Sequence, residues 1–289
     1  MYAITGITGK VGGALARALL ADGQSVRAVV RDNDKGRAWA ERGCEVALAE
    51  MQDAAALSAA FKGAEGVFIL PPSEFDPLPG FPAARAVIDA VKGALESTSP
   101  GKVVCLSTIG AQASQPNLLT QRTLMEQALG KVPLPIAFLR PGWFMENAAL
   151  DVRSARDSGV IQSFLQPLDR PVPMVSTDDV GRAAAALLQE RWEGKRVVEL
   201  EGPQRVSPNA LAAAFAKALG TPVRAEVVPR EQWESIFRAQ GMKNPTPRIQ
   251  MLEGFNAGWI DFADRGAHAR KGSTNIDQAV TTLIQRQRP

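Results

Sequence analysis

Short apolar segments alternate with longer amphipathic segments over the first half of the chain. The short segments are apolar on both faces, which is typical of strands in a buried parallel sheet. The strands predicted from this pattern are Tyr2–Thr5, Ser25–Val30, Glu45–Leu48, Gly66–Leu70, Lys102–Ser107 and Ile136–Leu139. The predicted helices are Gly12–Asp22, Ala54–Phe61, Ala83–Leu95 and Thr120–Leu129. This alternation predicts an α/β protein with a doubly wound parallel sheet.

The second half of the chain has a different pattern. A proline-rich stretch follows residue 150, and the alternation of strand and helix does not continue beyond it. The further predicted elements are a helix that begins near Asp179 with this residue as its cap, a strand at Arg196–Leu200, and a helix from a Ser207 cap to Gly220. We therefore predict a domain at 1–150 and a smaller α+β lobe at 151–289, with some segments that return to the main sheet.

Composition and charge exclude several classes of protein. The chain has 289 residues, 45% of them hydrophobic, and a net charge of +3 with basic and acidic residues interspersed. This balance does not indicate a nucleic-acid partner. No apolar segment reaches the ~18 residues that cross a bilayer, and no signal-peptide pattern precedes the first strand. Cys44 and Cys105 lack metal-binding or redox spacing, so we expect a cytoplasmic protein with no membrane partner, no metal site and two buried thiols.

A glycine-rich turn joins the first strand to the first helix. Gly6, Gly9 and Gly12 lie in the segment TGITGKVGG, between strand residues and helix residues. Gly6 would permit the tight turn, Gly9 would let backbone N–H groups approach a pyrophosphate, and Gly12 would allow close helix packing. This context predicts a dinucleotide site of the Rossmann type, and a glycine-rich turn without a ligand is the alternative.

The residues after the second strand bear on the choice of dinucleotide. An NAD site usually has an acidic residue here for the ribose 2′-hydroxyl, about 20 residues beyond the turn. This chain has Arg31 first and then Asp32, with Lys35 one turn later. A guanidinium can bind a 2′-phosphate through paired hydrogen bonds, and Lys10 in the glycine turn could reach the same group. The pattern favours NADP(H), while Asp32 leaves NAD(H) possible.

Several segments together resemble the NmrA-like family of atypical short-chain dehydrogenases. They are TGITGKVGG, VRDNDK, VFILPP, LSTIGA, LRPGWFMEN, VSTDDVGRAAAALL and EGFNAGWIDF, and they extend over nearly the whole chain. The family includes NADPH-dependent quinone and dye reductases, and also proteins that bind NADP as redox sensors without turnover. The resemblance therefore implies a monomeric or homodimeric reductase of a small aromatic substrate, or else a regulatory NADP-binding protein.

The same resemblance implies cofactor contacts along one edge of the predicted sheet. Those for the pyrophosphate are Gly6, Thr8, Gly9, Lys10, Val11 and Gly12, and those for the adenosine phosphate are Arg31 and Lys35. Glu50 would lie near the adenine, although the family usually has Gly-Asp where this chain has Ala49 and Glu50. The remaining contacts are Leu70 and Pro71 near the middle of the cofactor, Ser107 and Thr108 beside the nicotinamide ribose, and Pro141, Gly142 and Trp143 at the nicotinamide ring.

The general acid of ordinary short-chain dehydrogenases has no counterpart in this chain. Those enzymes use a tyrosine and a lysine four residues later, and the resemblance places Leu118 and Arg122 at these positions. The single tyrosine, Tyr2, lies in the first strand. The single histidine, His268, lies in a polar stretch where we expect it to be exposed. Glu146 is a weaker candidate for an acid.

A quinone-like acceptor is consistent with the missing acid. The hydroquinone anion is stable near neutral pH and can take its proton from water, whereas the alkoxide from a simple ketone needs an acid. We predict Ser107, Thr108 and Arg122 as the catalytic residues, with the two hydroxyls orienting the acceptor oxygen. Aromatic residues could stack on a flat substrate, and those predicted to do so are Trp143, Phe144, Phe75 and Trp259. The alternative for most aromatic residues, including Phe255 and Phe262, is packing between the lobes.

Overall fold

Parallel strands form the central sheet of the protein. The computed structural model describes residues 1–287. Its strands are β1 (Tyr2–Thr5), β2 (Val26–Val30), β3 (Glu45–Leu48), β4 (Gly66–Ile69), β5 (Lys102–Leu106), β6 (Ile136–Pro141), β7 (Trp143–Phe144), β8 (Val160–Ser163), β9 (Met174–Val175), β10 (Lys195–Glu201), β11 (Arg224–Val227) and β12 (Arg270–Lys271). The order in the main sheet is β3-β2-β1-β4-β5-β6-β10-β12, and each neighbouring pair is parallel.

Helices cover both faces of this sheet. The α-helices of the described residues are α1 (Lys10–Ala21), α2 (Asn33–Ala40), α3 (Ala54–Phe61), α4 (Pro82–Thr98), α5 (Thr120–Leu129), α6 (Val152–Ser158), α7 (Thr177–Gln189), α8 (Pro208–Leu219), α9 (Trp233–Ala239), α10 (Thr246–Ala257) and α11 (Ile276–Arg286). Helices α1, α2 and α7 pack on one face and α3, α4 and α5 on the other. The predicted doubly wound parallel α/β sheet is therefore confirmed.

Helix α2 is an element that the apolar pattern did not predict. Gly36 lies in the middle of it, and glycine disfavours a helix interior. The reason for glycine here is steric, because a Cβ at Gly36 would lie only 2.7 Å from Cγ1 of Val46 in β3. Close packing of α2 on the sheet thus outweighs the low helix propensity.

The second half of the chain contributes to the main sheet and also forms a separate lobe. Strand β10 pairs with β6 from Lys195 to Leu200, β12 pairs with β10, and α7 packs on α1. The lobe contains two short parallel pairs, β8 with β11 and β7 with β9, and helices α6, α8, α9, α10 and α11. The division at residue 150 stays a prediction. Among the described residues, no helix is long and apolar enough to cross a membrane.

The two cysteines are buried free thiols, as the sequence predicted. Burial raises the pKa of Cys105 to about 12. This thiol is therefore protonated near neutral pH, and it serves as a small apolar residue in β5.

One of the two predicted helix caps is confirmed and the other is wrong. Ser207 caps α8 by accepting from the N–H of Ala210 at 3.1 Å, and Gly220 ends that helix. Asp179 is not the cap of α7, which begins at Thr177. The cap is Ser176, whose hydroxyl accepts from the N–H of Asp179 at 3.0 Å. A serine three residues before an acidic residue is a capping spacing in its own right.

The carboxylate of Asp179 instead connects α7 to the segment after β12. It accepts from the N–H of Thr274 at 2.9 Å and from the hydroxyl of Ser273 at 3.2 Å. The hydroxyl of Ser176 also donates to it, at 2.9 Å, and Arg182 forms an ion pair with it. Burial raises the pKa of Asp179, but the hydrogen bonds from Thr274, Ser176 and Ser273 outweigh it and lower the pKa to about 2.

These contacts predict a stability contribution that depends on pH. Because the folded pKa lies below the ~3.9 of an unfolded aspartate, the contribution is present above about pH 4 and is lost as the pH falls towards 2. Asp179→Asn should lower the thermal midpoint at neutral pH by roughly 3–8 °C, and the difference from wild type should shrink below pH 4. Thermal unfolding followed by circular dichroism measures both midpoints. Asp178→Asn, at a half-exposed neighbour, is the control, and a difference that is the same at every pH would contradict the prediction.

Candidate functional site

The three glycines between β1 and α1 have different steric environments. Gly6 has a φ of +65°, a left-handed conformation that favours glycine. A Cβ on Gly12 would lie 2.3 Å from the carbonyl oxygen of Gly6, so the helix packs directly on the turn. A Cβ on Gly9 would meet only that same oxygen, at 3.3 Å. Gly9 therefore has one close neighbour where Gly12 has three, and the role of Gly9 toward a pyrophosphate stays a prediction.

The N-terminus of α1 is suited to an anion. Helix α1 begins at Lys10, and its first turn contains no acidic side chain. The first N–H groups of a helix lack intrahelical acceptors, and the helix dipole adds positive potential at this end. The side chain of Lys10 is exposed and forms no ion pair within residues 1–287. These donors together fit a phosphate group.

Further cations lie at the end of β2. Arg31 and Lys35 are exposed, and neither forms an ion pair in the part of the chain that the structure describes. Asp32 caps α2, because its carboxylate accepts from the N–H of Asp34 at 2.8 Å. One of its oxygens is thus committed to the helix. Glu50, after β3, is exposed, and its predicted adenine contact stays a prediction.

The end of β4 lies beside the glycine turn. The N–H of Leu70 donates to the hydroxyl of Thr5 at 2.8 Å, and the Leu70 side chain lies 3.0 Å from the position of a Cβ on Gly6. Pro71 follows, and its carbonyl accepts from Nη2 of Arg122 at 2.9 Å. The same guanidinium donates to the carbonyl of Pro72 at 3.3 Å and to the hydroxyl of Ser73 at 3.0 Å. Arg122 therefore holds the start of the loop after β4.

Ser107 belongs to a buried polar network that the sequence analysis missed. Its hydroxyl donates to Oε1 of Glu126 on α5. Arg140 on β6 donates to both oxygens of this carboxylate, at 2.9 and 2.6 Å. The side chains of Arg140 and Glu126 are only 10% and 11% exposed, and Nη1 of Arg140 donates to Gln112 at 2.9 Å. An arginine within the apolar strand IAFLRP was the signal that such a carboxylate partner would exist.

The network decides what the Ser107 hydroxyl can offer to a ligand. Its proton points to the carboxylate of Glu126, so its lone pairs remain to accept a hydrogen bond. The neighbouring Thr108 is partly exposed, and its hydroxyl makes no hydrogen bond to any described residue. Thr108 is thus the better placed of the two as a donor to an acceptor oxygen.

Four residues bear on the question of a general acid, and the structure places them as follows. Leu118 is buried, and its N–H donates to the carbonyl of Pro247 in the second lobe at 2.9 Å. Tyr2 donates to Glu65 at 3.2 Å, before β4 rather than after it. His268 is exposed, as predicted. The carboxylate of Glu146 accepts from the N–H of Thr177, the first residue of α7, at 3.0 Å, which argues against a role as an acid.

Aromatic residues after β6 divide between two cores. A Cβ on Gly142 would lie 2.6 Å from the carbonyl oxygen of Pro173, so the backbone after β6 is in close contact with the backbone at Pro173. Trp143 then packs edge-on against Phe255, with ring centroids 5.2 Å apart. Phe144 follows on the same short strand and faces the opposite way, against the core of the main sheet. This packing argues against the predicted substrate contact of Phe144.

The two other predicted substrate residues are Trp259 in the second lobe and Phe75 on a loop that reaches that lobe. Trp259 packs within the lobe core, where Phe255 and Phe262 are buried as the packing alternative predicts. Phe75 is 63% exposed, on the loop between β4 and α4. The next residue, Asp76, accepts from the N–H groups of Lys243 at 2.8 Å and of Asn244 at 2.6 Å. The loop that carries Phe75 therefore spans from the sheet to the second lobe.

Comparison with known proteins identifies the family. A model of the NmrA-like family matches residues 2–261. The chain belongs to the NmrA-like family. It is 29% identical over 246 residues to the NAD(P)H azoreductase of Xenophilus azovorans, a match that covers 84% of this chain and 82% of that protein. It is 27% identical over 244 residues to quinone oxidoreductase 2 of Escherichia coli K12, which again covers 84% and 82%.

Solved structures share the fold of this NmrA-like protein. The triphenylmethane reductase of Citrobacter sp., in complex with NADP(H), superposes with a TM-score of 0.81 at 20% identity. The match covers 98% of this chain and 99% of that one. The family resemblance and the fold predicted from the sequence are both confirmed.

The NmrA-like fold brings most of the predicted contacts to one edge of its sheet, because the strands are parallel and all end there. The residues at and after the ends of β1, β2, β4, β5 and β6 meet at this edge, and they are Gly6 to Gly12, Arg31, Leu70, Pro71, Ser107, Thr108 and Pro141 to Trp143. Their roles toward a ligand stay predictions. The residues that the sequence analysis missed are Glu126, Arg140, Gln112 and Asp76.

The steric difference between two glycines gives a test of the turn. Gly9→Val adds a branched side chain where only one oxygen lies close, at 3.3 Å, so the protein should fold but lose NADPH binding by at least a hundredfold, as the loss of about 3 kcal/mol implies. Gly12→Val places carbon atoms against the carbonyl of Gly6 and should prevent stable folding. Fluorescence titration with NADPH and thermal unfolding measure the two effects. Retained NADPH affinity in a folded Gly9→Val protein would show that the ligand does not lie on this turn.

Proposed function

We propose that this NmrA-like protein is an NADPH-dependent reductase that transfers hydride to quinone-like or other planar aromatic acceptors. The observation that carries the proposal is one sheet edge that combines a phosphate-binding turn, cations without carboxylate partners and an apolar wall, with a leucine in place of the acid. When bound, NADPH would supply the hydride. This chain would position both rings. A cytoplasmic monomer or homodimer is part of the proposal.

The cations support NADPH over NADH. Arg31 and Lys35 follow β2, the strand whose end faces the adenosine ribose in dinucleotide sites of this type, and neither forms an ion pair to a described residue. Asp32, the residue that would favour NAD, has a carboxylate oxygen engaged in capping α2. A free guanidinium next to an engaged carboxylate favours a phosphate over a ribose hydroxyl.

The polar groups near β5 support an acceptor that needs no strong acid. Leu118 offers no proton, and the Ser107 proton is directed to Glu126. A quinone, or the azo group of a dye, can be reduced to an anion that is stable enough to take its proton from water. The hydroxyl of Thr108 would orient the acceptor atom by donating a hydrogen bond. The relatives support the same class, since two of them are named as an azoreductase and a quinone oxidoreductase.

The apolar wall supports a flat substrate. Trp143 is partly buried against Phe255, and Ile109 and Leu118 belong to the same apolar cluster. A planar acceptor could lie against the exposed part of the Trp143 ring. This cluster links the end of β5 to the second lobe, so it could exclude water from the ring that accepts hydride.

The test of this proposal is NADPH oxidation with three acceptors. A naphthoquinone and an azo dye should be reduced, whereas a cyclic aliphatic ketone should not, because its alkoxide needs an acid that this chain lacks. His268→Ala should leave the rate within about twofold, far from the 10²–10⁴ that loss of a general acid costs. Binding of NADPH without reduction of any acceptor would favour a redox sensor instead.

Cofactor choice gives a second test. A hydrogen bond to a charged group contributes about 1.5–3 kcal/mol, which corresponds to roughly ten- to a hundredfold in affinity. Arg31→Ala should therefore weaken NADPH binding by about this factor and leave NADH binding nearly unchanged. Arg37→Ala, which removes an exposed arginine from the same helix region, should change neither. Equal losses for both cofactors in Arg31→Ala would contradict recognition of the phosphate.

A further inference from the structure

Three side chains stand in a row on the face of α5 and the turn before it. Leu118, Arg122 and Glu126 are spaced four residues apart, which places them on one face where the helix is regular. Leu118 contacts the second lobe, and Glu126 binds Ser107 at the end of β5. Arg122 lies between them and binds the loop after β4. Its guanidinium therefore lies against the start of that loop, which follows the end of β4 at the edge of the sheet.

The charge of Arg122 has no counter-ion among residues 1–287. Its hydrogen-bond acceptors are the neutral carbonyls of Pro71 and Pro72 and the hydroxyl of Ser73. The nearby carboxylate of Glu126 is used by Arg140 and Ser107.

Glu74 is the other carboxylate near this guanidinium. It lines the same small cavity as Arg122, but the two form no ion pair. The Nε of Arg122 also makes no hydrogen bond to a described residue, so donors remain for a bound group. A partly buried charge without a partner costs free energy. That cost is offset where an anion forms during the reaction.

We propose that Arg122 stabilises the anion that forms when the acceptor takes up hydride, in place of a proton donor. The proposal rests on the proposed function. The acceptor gains two electrons and one hydrogen from the dihydronicotinamide, which becomes oxidised. The product then carries one negative charge until it takes a proton from solvent. The positive charge of Arg122 lowers the energy of this anion and of the transition state that leads to it.

Two variants separate this role from simple attachment of the loop. Arg122→Gln removes the charge, and its shorter side chain ends where Nε of the arginine lies, short of the carbonyls of Pro71 and Pro72. Arg122→Lys keeps the charge and loses the planar arrangement of donors. An electrostatic role is lost in the first variant and retained in the second. A structural role that depends on the Nη donors is impaired in both.

A phenol that changes colour on ionisation measures the electrostatic effect without turnover. The probe is para-nitrophenol, titrated by absorbance while bound to the NADP⁺ complex. In wild type and Arg122→Lys its ionisation constant should be at least about tenfold higher than in Arg122→Gln, a shift of one pKa unit. Glu74→Gln, the matched control, removes a charge from the same cavity and should leave the phenol as acidic or make it more so. Equal acidity in all four proteins, or failure of the phenol to bind, would overturn the proposal.

Turnover gives an independent readout. Across quinones whose hydroquinones differ in acidity, kcat should fall more steeply with rising hydroquinone pKa in Arg122→Gln than in wild type. A uniform loss for every quinone would indicate attachment of the loop alone and would overturn the proposal. If no acceptor is reduced although NADPH binds, the proposed function fails, and the phenol titration still decides the role of Arg122.

Discussion

Each strand of the main sheet is parallel to its neighbours, and a parallel sheet must be covered by helices on both faces. Each helix returns the chain to the opposite edge, so all the strands end at one side of the molecule. The loops that follow β1, β2, β4, β5 and β6 therefore converge. Residues as distant in sequence as Gly9 and Trp143 come to one edge for this reason, and the second lobe lies over that edge.

The parts of the fold that depend on local pattern could be predicted from the sequence. The six strands of the first half and the cap of α8 at Ser207 are read from apolar runs and capping residues. Helix α2 could not be, because Gly36 is favoured by its packing on Val46 and this neighbour is known only from the fold. The predicted cap of α7 was wrong because Ser176 and Asp179 are both residue types that cap helices, and the local sequence pattern does not choose between them.

The candidate site shows the same division. The glycine turn and the cations after β2 are local motifs, so they could be found without a structure. The network of Ser107, Glu126 and Arg140 joins three elements that are separated in sequence. None of these residues lies in a recognisable motif. Only the folded structure brings them together and shows that the Ser107 hydroxyl donates its proton to Glu126. A buried ion pair of this kind also makes substitutions interdependent, since removal of one partner alone typically costs about 3–5 kcal/mol.

The pairing of β10 with β6 has a consequence for how the molecule unfolds. A chain that ended near residue 150 would leave β6 with an unpaired edge and α1 without the helix that packs on it. The carboxylate of Asp179 adds a further link from that helix to the last segments of the chain. The second half is thus part of the cooperative unit of the first, and partial unfolding should begin in the outer helices rather than between two independent domains.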